Sequence, residues 1–588
     1  MAYAHTKLFF GWVVLAGLGA LFLIKLGCRR LDYAISEKDI VKSEFSWANV
    51  VPSDTLGWTE CYSAHQCARL NVPLNYSEPD GEKAIIAITR YPAAIPAESP
   101  LYRGPVLINP GGPGGSGVDF IAIGGSKLAQ IVGPEFDIVG FDPRGKPVLH
   151  PLSSVIPILR KVWLTRDHAR HSLKRISSVA CGGDPSLTDL NASSDSLGRF
   201  WARAQVYNRL AGEQGSLQHI NTDNTARDML QIVRAHGEEK IQYWGFSYGS
   251  VLGAVFAAMF PEKVERIVID GVVDAENYFD TLWSNNLLDA DKALQTFFDG
   301  CAAAGSAGCG FHASTPEAIS ENLTALYEHV RTRPVPVRTP LCYGLVDFDC
   351  LRQTVFDALY GPQLTFSPLA DALSALASGD GSLIFGLLES SPPYECSCDP
   401  TEHQFDNILD SQMAILCNDG RAVPSGFDEA EKHYQKMVKT SSWGSLIASI
   451  RIMCTGWPDI PKRHFQGPVT GNTSFPILVI GNTADPITPL ANAKKTSEAF
   501  PDSVLLTQDC PGHTSLAAPS PCTQGYIREY FFNGTLPEED TVCPVLGSPF
   551  PDGRFQKQDE SEQTVFSAAQ RDLFKAFKAA QPRRLVMN

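Results

Sequence analysis

Gly245-Phe246-Ser247-Tyr248-Gly249 sets a serine between two glycines, and its flanks give that spacing a meaning. IQYWGF (241–246) ahead of it reads as a strand, and SVLGAVFAAMF (250–260) behind it reads as a helix. A strand that turns abruptly into a helix strains its apex residue, and glycine on either side removes Cβ atoms that would collide. The hydroxyl then stands above a sheet at a helix N-terminus, where developing negative charge is favoured. The chemistry this suits is acyl transfer through a serine nucleophile.

Such a serine needs a base and a group to orient the base. His513, in CPGHTS, follows the last strong strand pattern and is the informative one among thirteen histidines. Asp485, in GNTADPITP, lies a few residues beyond the strand pattern FPILVIGN. Taken alone, Asp485 reads as a turn or cap residue before Pro486, and a lone histidine reads as a surface or core residue. The chain order serine, aspartate, histidine joins the three into a triad, because α/β hydrolases use that order. The glycine-dense loop Asn109-Pro110-Gly111-Gly112-Pro113-Gly114-Gly115-Ser116-Gly117 follows another strand pattern, PVLINP. Its backbone can approach a substrate carbonyl without side-chain obstruction, so Gly112 N–H and Tyr248 N–H are the expected oxyanion-hole donors. No Gly-Lys-Ser/Thr follows the loop, which argues against a phosphate-binding role.

The elements that must hold these residues are short Val/Ile/Leu-rich runs at 84–90, 105–110, 136–142, 241–246, 266–271, 475–482 and 502–508. Continuous apolar character suits strands buried on both faces of a mostly parallel sheet. Helical patterns separate several of them, as in TARDMLQIVRAHG (225–237), so the fold class is α/β. Residues 31–80 read as an irregular, cysteine-stapled lead-in. The stretch 275–470 breaks the alternation with helical and Pro-rich segments and is expected to be a cap inserted between sheet strands. The division that follows is an N-terminal segment (1–30), a hydrolase domain in two parts (31–274 and 471–545), the helical cap (275–470) and a tail (546–588) with an amphipathic helix over 567–580.

The 588 residues carry a net charge of −15, which argues against nucleic acid as a partner because phosphate binding needs concentrated Lys and Arg. Fifteen cysteines lack the spacing of zinc knuckles, and close pairs such as Cys61/Cys67, Cys301/Cys309, Cys342/Cys350, Cys396/Cys398 and Cys510/Cys522 point to disulfides in an oxidising compartment. Connectivity stays open at this stage. Asn75, Asn191, Asn322, Asn472 and Asn533 each begin a glycosylation triplet. The apolar run LFFGWVVLAGLGALFLI (8–24) has no clean cleavage site after it and reads as a signal anchor or signal peptide, placing the protein in the secretory pathway, membrane-anchored or secreted. Positive charge is heavier after the run, at Lys25, Arg29 and Arg30, which opposes that orientation; the cysteines and triplets favour it.

NPGGPGGSG, FDIVGFDPRG, YWGFSYGS, GNTADPITP and PGHTS together resemble the tripeptidyl-aminopeptidase-like branch of α/β hydrolases, related to the prolyl aminopeptidases, over most of residues 60–545. The resemblance implies an α/β-hydrolase fold and a secreted serine exopeptidase that releases short peptides from free N-termini, with Ser247, Asp485 and His513 at the triad positions. One departure follows FDPRG, where Lys146-Pro147-Val148-Leu149-His150 replaces a small Gly/Ser-bearing turn; Asp142 and Arg144 keep a scaffolding role. Asp419 and Glu276 are the candidates for holding a substrate ammonium group, each more simply read as structural. The mechanism needs no cofactor or metal. Two rivals remain: hydrolysis or acyl transfer on an ester, thioester or lactone, and a non-catalytic binding protein on the same fold.

Overall fold

The computed structural model describes residues 45–145, 189–213, 217–338, 343–388, 408–461 and 464–550, with 568, 571 and 572. The apolar run 8–24 and the segment 146–150 lie outside the described residues, as does the helix expected over 567–580 apart from those last three positions. Among the described residues no helix is long and apolar enough to cross a membrane.

In chain order β1 (Thr59–Cys61), β2 (His65–Pro73), β3 (Lys83–Tyr91), β4 (Pro105–Asn109), α1 (Gly117–Val132) and β5 (Asp137–Phe141) come first. They are followed by α2 (Ser196–Ala211), α3 (Thr222–Ala235), β6 (Ile241–Phe246), α4 (Tyr248–Met259) and β7 (Val264–Asp270). A long excursion leaves the sheet after β7. It comprises α5 (Ala275–Phe279), α6 (Ala290–Gly308), α7 (Pro316–Thr332), the hairpin β8 (Val335–Arg338) and β9 (Tyr343–Val346), α8 (Phe348–Ala358) and α9 (Pro362–Ala377). It ends with α10 (Ser382–Leu388), α11 (Ile408–Asp419), α12 (Phe427–Thr440) and α13 (Gly444–Ile452). The chain returns as β10 (Leu478–Ala484), α14 (Leu490–Ala499), β11 (Val504–Pro511), α15 (Pro521–Asn533) and β12 (Val542–Pro544).

Ten strands form one sheet in the order β1-β2-β3-β5-β4-β6-β7-β10-β11-β12. Pairing is antiparallel from β1 to β5 and parallel from β5 to β12. β4, β5 and β6 are buried along their whole length, which is why their sequences are apolar without alternation. One sheet face packs under α1 and α15 through Phe120, Ile121, Leu128, Ile527 and Phe531. The opposite face carries α3 and α4, and its core runs without a break into the excursion through Phe297, Leu351, Phe356 and Trp443.

The lead-in is more ordered than expected. β2 spans nine residues and pairs along its length with β3, so the segment extends the sheet rather than wandering beside it. Its polar Gln66, Arg69 and Asn71 hid the strand, although Arg69 is itself buried and donates to Val50 O at 3.1 Å. Disulfides join Cys61 to Cys67, Cys301 to Cys309, Cys417 to Cys454 and Cys522 to Cys543. Cys510 does not pair with Cys522: it sits buried as a free thiol on β11, while Cys522 at the start of α15 reaches Cys543 on β12. Cys350 is a free thiol, and Cys342, Cys396 and Cys398 lie outside the described residues.

Candidate active site

β6 delivers Ser247 to the carboxyl edge of the sheet with φ 57° and ψ −122°, a backbone conformation that only a tight strand-to-helix turn imposes. Any side chain on Gly245 would overlap Gly249 O and press within 2.5 Å of the Tyr243 ring, so the first glycine of the motif is a packing requirement. Ser247 N–H donates to Asp270 O at 2.9 Å, and Ser247 O receives Ser250 N–H at 2.8 Å and Ser250 Oγ at 2.5 Å. Tyr248 opens α4, where a backbone N–H has no acceptor within the helix.

The glycine-rich loop leaves β4, the neighbour of β6, and folds directly onto this turn. Asn109 Oδ1 receives Gly111 N–H at 2.9 Å. Gly111 has φ +95°, and a Cβ there would overlap Phe246 O and lie 2.9 Å from Ser247 Cβ and 3.0 Å from Tyr248 N. The backbone at Gly111, one residue before the expected donor Gly112, therefore packs against the turn that carries Ser247 and the second expected donor, Tyr248. From the excursion, Gln412 Nε2 on α11 donates to Gly112 O at 3.2 Å and pins the loop from outside the sheet domain.

β10 and β11 bring Asp485 and His513 together. His513 Nδ1 lies 2.9 Å from Asp485 Oδ2 and 3.1 Å from Oδ1, and a carboxylate can only accept, so the proton sits on Nδ1. Both side chains are essentially closed to solvent, at 1% and 0% exposure. Asp485 also receives Ile487 N–H at 3.0 Å, Thr488 N–H at 2.8 Å, Thr488 Oγ1 at 2.7 Å and Thr514 N–H at 3.0 Å. The turn bonds and the bond from His513 thus converge on one carboxylate. On the other side, an ideal Cβ on Gly271 would lie 3.3 Å from His513 Cε1. The backbone of Ser247 is bonded to Asp270, and the imidazole rests on Gly271, so the serine turn and the imidazole meet at a single peptide link at the end of β7.

Several residues that support this arrangement escaped the sequence reading. Asn482 Nδ2 donates to Gly512 O at 2.8 Å and Thr514 O at 2.7 Å, and Gln508 Nε2 to Ser515 O at 3.2 Å, which together shape the histidine loop. Tyr360, between α8 and α9, accepts His513 N–H through its carbonyl at 2.9 Å and sets its ring edge-on to the imidazole with centroids 5.0 Å apart. Nothing around Tyr360 or Gln412 in the sequence marks them, because their role arises only from how the excursion docks. Thr488 and Asp270 stand inside quoted motifs and were passed over for lack of any reason to look.

Asp419 and Glu276 separate cleanly. Asp419 is buried on α11, receives Thr222 N–H at 2.8 Å, Thr222 Oγ1 at 2.5 Å and Tyr278 O–H at 2.7 Å, and burial raises its pKa above the usual range. Its acceptor sites are taken by the fold. Glu276 is exposed and pairs with Lys495 at 2.6 Å. Asp142 receives Ser116 Oγ at 2.8 Å and Val118 N–H at 3.2 Å at the foot of α1.

Residues 161–307 match the alpha/beta hydrolase fold family, and the chain is an α/β hydrolase, with the large, mostly parallel sheet that this class requires. Residues 439–543, which carry Asp485 and His513, match the family described as TAP-like protein. The chain is a serine hydrolase that is similar to the TAP-like proteins. It is 27% identical over 550 residues to serine protease Hip1 of Mycobacterium tuberculosis, covering 90% of this chain and 97% of that one. Tripeptidyl aminopeptidase of Streptomyces coelicolor is 28% identical over 495 residues, covering 83% and 84%. Carboxylesterase B of Mycobacterium tuberculosis is 28% identical over 490 residues, covering 81% and 86%.

Proposed function

We propose that this hydrolase is an exopeptidase that releases short peptides from free N-termini through an acyl-enzyme at Ser247. In this reading Ser247 Oγ attacks the carbonyl carbon while His513 Nε2 takes its proton. Asp485 holds the imidazole with Nδ1 protonated and stabilises the imidazolium that forms. Gly112 and Tyr248 N–H receive the oxyanion, His513 returns the proton to the leaving amine, and water then releases the acyl group by the same path. The observation that carries the reading is the buried His513–Asp485 pair seated at the end of β7, one peptide link from the Ser247 turn. The relatives named serine protease and tripeptidyl aminopeptidase support a peptide as substrate.

The relative named carboxylesterase B supports a second reading, in which the acyl substrate is a small ester. One experiment decides between them. A fluorophosphonate probe should label the wild type and not Ser247→Ala. A defined mixture of free and N-acetylated peptides, read by mass beside p-nitrophenyl esters, should then yield short N-terminal fragments from the free peptides alone. Labelling that survives Ser247→Ala would sink the assignment; ester turnover with intact peptides would move the substrate to the second reading.

The same reading extends to the whole chain. Segment 8–24 directs it to the secretory pathway and anchors or releases it there, 275–470 is a cap between 31–274 and 471–545, and 546–588 is a tail. Disulfides support an oxidising compartment. Asn191, Asn322, Asn472 and Asn533 are exposed and Asn75 half-buried, which supports all five as glycan acceptors to be tested by a mass shift on deglycosylation.

A further inference from the structure

Asp270 ends β7, the strand between the one that carries the serine and the one that leads to Asp485: its register partners are Phe246 on β6 and Ile480 on β10. Its side chain is fully buried and aimed at the histidine loop. Oδ1 receives Ser515 N–H at 2.8 Å, while Oδ2 receives Ser515 Oγ at 2.5 Å and Trp244 Nε1–H at 3.3 Å. Its own carbonyl receives Ser247 N–H at 2.9 Å. One residue thus holds the nucleophile turn through its backbone and, through its carboxylate, the loop two residues beyond His513.

We infer that Asp270 is a second positioning carboxylate of the site, setting the distance between Ser247 and His513 while Asp485 sets the orientation of the ring. The inference rests on the hydrolase reading above. Asp485, Asn482, Gln508 and the Tyr360 carbonyl hold the loop to β10, β11 and the excursion; the anchor at Ser515 is what ties it to the residue that bonds Ser247. Displacements of about 1 Å at a reacting pair are enough to slow a reaction by about a hundredfold.

The carboxylate also acts through its charge. The titratable groups around it are His513, Asp485 and Cys510, whose thiol burial keeps protonated by pushing it up to about 12. Burial pushes Asp270 itself up to about 6, opposed by the bonds from Ser515 and Trp244 and by His513. Above that range Asp270 is ionised, and its charge lies beside the imidazole of His513.

The test uses the full chain, p-nitrophenyl acetate as substrate and fluorophosphonate titration to count competent sites. Asp270→Asn keeps the shape and removes the charge. Its turnover per titrated site should fall about 10- to 100-fold with KM within about twofold. A purely structural role would lower the number of titrated sites and leave turnover per site unchanged. That result, or turnover per site within about twofold of wild type, overturns the proposal. Should Asp270→Asn fail to fold, Ser515→Ala decides: it removes one of the two loop bonds and should lower turnover per site about 3- to 10-fold, and unchanged turnover overturns the proposal. Wild type that resists the probe, or Ser247→Ala that still reacts with it, overturns the hydrolase reading and this inference with it; a labelled wild type with an indifferent Asp270→Asn overturns this inference alone.

Discussion

Asp485 receives bonds from the backbone on both sides of it as well as from His513, so its position is over-determined while its charge is used by one partner. Asp485→Asn keeps nearly all of that geometry and presents an amide where the carboxylate accepted Nδ1–H, favouring the wrong imidazole tautomer. Its kcat should fall by about ten-thousandfold with KM little changed, measured by steady-state kinetics on a p-nitrophenyl ester. A loss of less than about tenfold would remove Asp485 from the orienting role. At this scale the candidate triad positions were legible because each stands in a motif whose chain order has a mechanical reason, and the structure brings Asp485 and His513 into contact. Asp270 was not, since an aspartate ending a strand is ordinary until its partners are known.

The strands and helices that position the site depend on a buried ion pair away from it. Arg144 Nη2 and Nε meet Asp228 on α3 at 2.5 and 2.7 Å, Tyr76 O–H adds a bond at 2.7 Å, and Arg144 also donates to Leu74 O and Pro73 O at the end of β2. Burial raises the Asp228 pKa even with Arg144 opposing it. Arg144→Met leaves that carboxyl buried without its cation and should cost about 3–5 kcal/mol, read from urea unfolding. A second element-scale effect lies at the start of α8, where Asp349 receives Asp189 N–H and Asp189 pairs with Arg352 at 3.1 Å. Burial pushes Asp349 from 3.8 up to about 8, so the folded chain keeps a proton that the unfolded chain releases across that window. Stability supplied by this proton is whole below the unfolded value and drains away as pH rises through about 8. Asp349→Asn should therefore gain in Tm over wild type between about pH 5 and pH 9, and a constant difference across that range would contradict the sign. The parallel strands were legible as unbroken apolar runs. β2 was not, because its polar residues find partners that only the sheet edge reveals.

The largest gap between sequence and structure concerns how the excursion after β7 meets the sheet domain. Its helical content can be read from periodicity, but a helix's apolar face does not say which surface it covers. In the structure those faces join the core over β6 and β7, and α11 runs along the site. Gln412 holds Gly112 O, Asn418 Nδ2 donates to Leu217 O and Ile220 O at 2.7 Å each, and Asp419 holds Thr222. The disulfide from Cys417 to Cys454 fixes this helix to the segment whose Met453 and Thr455 carbonyls receive Asn208 Nδ2. A shared core makes separate unfolding of the two parts costly, so denaturation followed at buried tryptophans, Trp244 in the sheet and Trp443 in the excursion, should coincide with loss of ester hydrolysis. Replacing both cysteines by alanine frees a loop with a sequence separation of 37 and should lower stability by about 4 kcal/mol while keeping that coincidence. Hydrolysis lost well before the fluorescence transition would mean instead that α11 detaches on its own, and that the bridge secures the site rather than the fold.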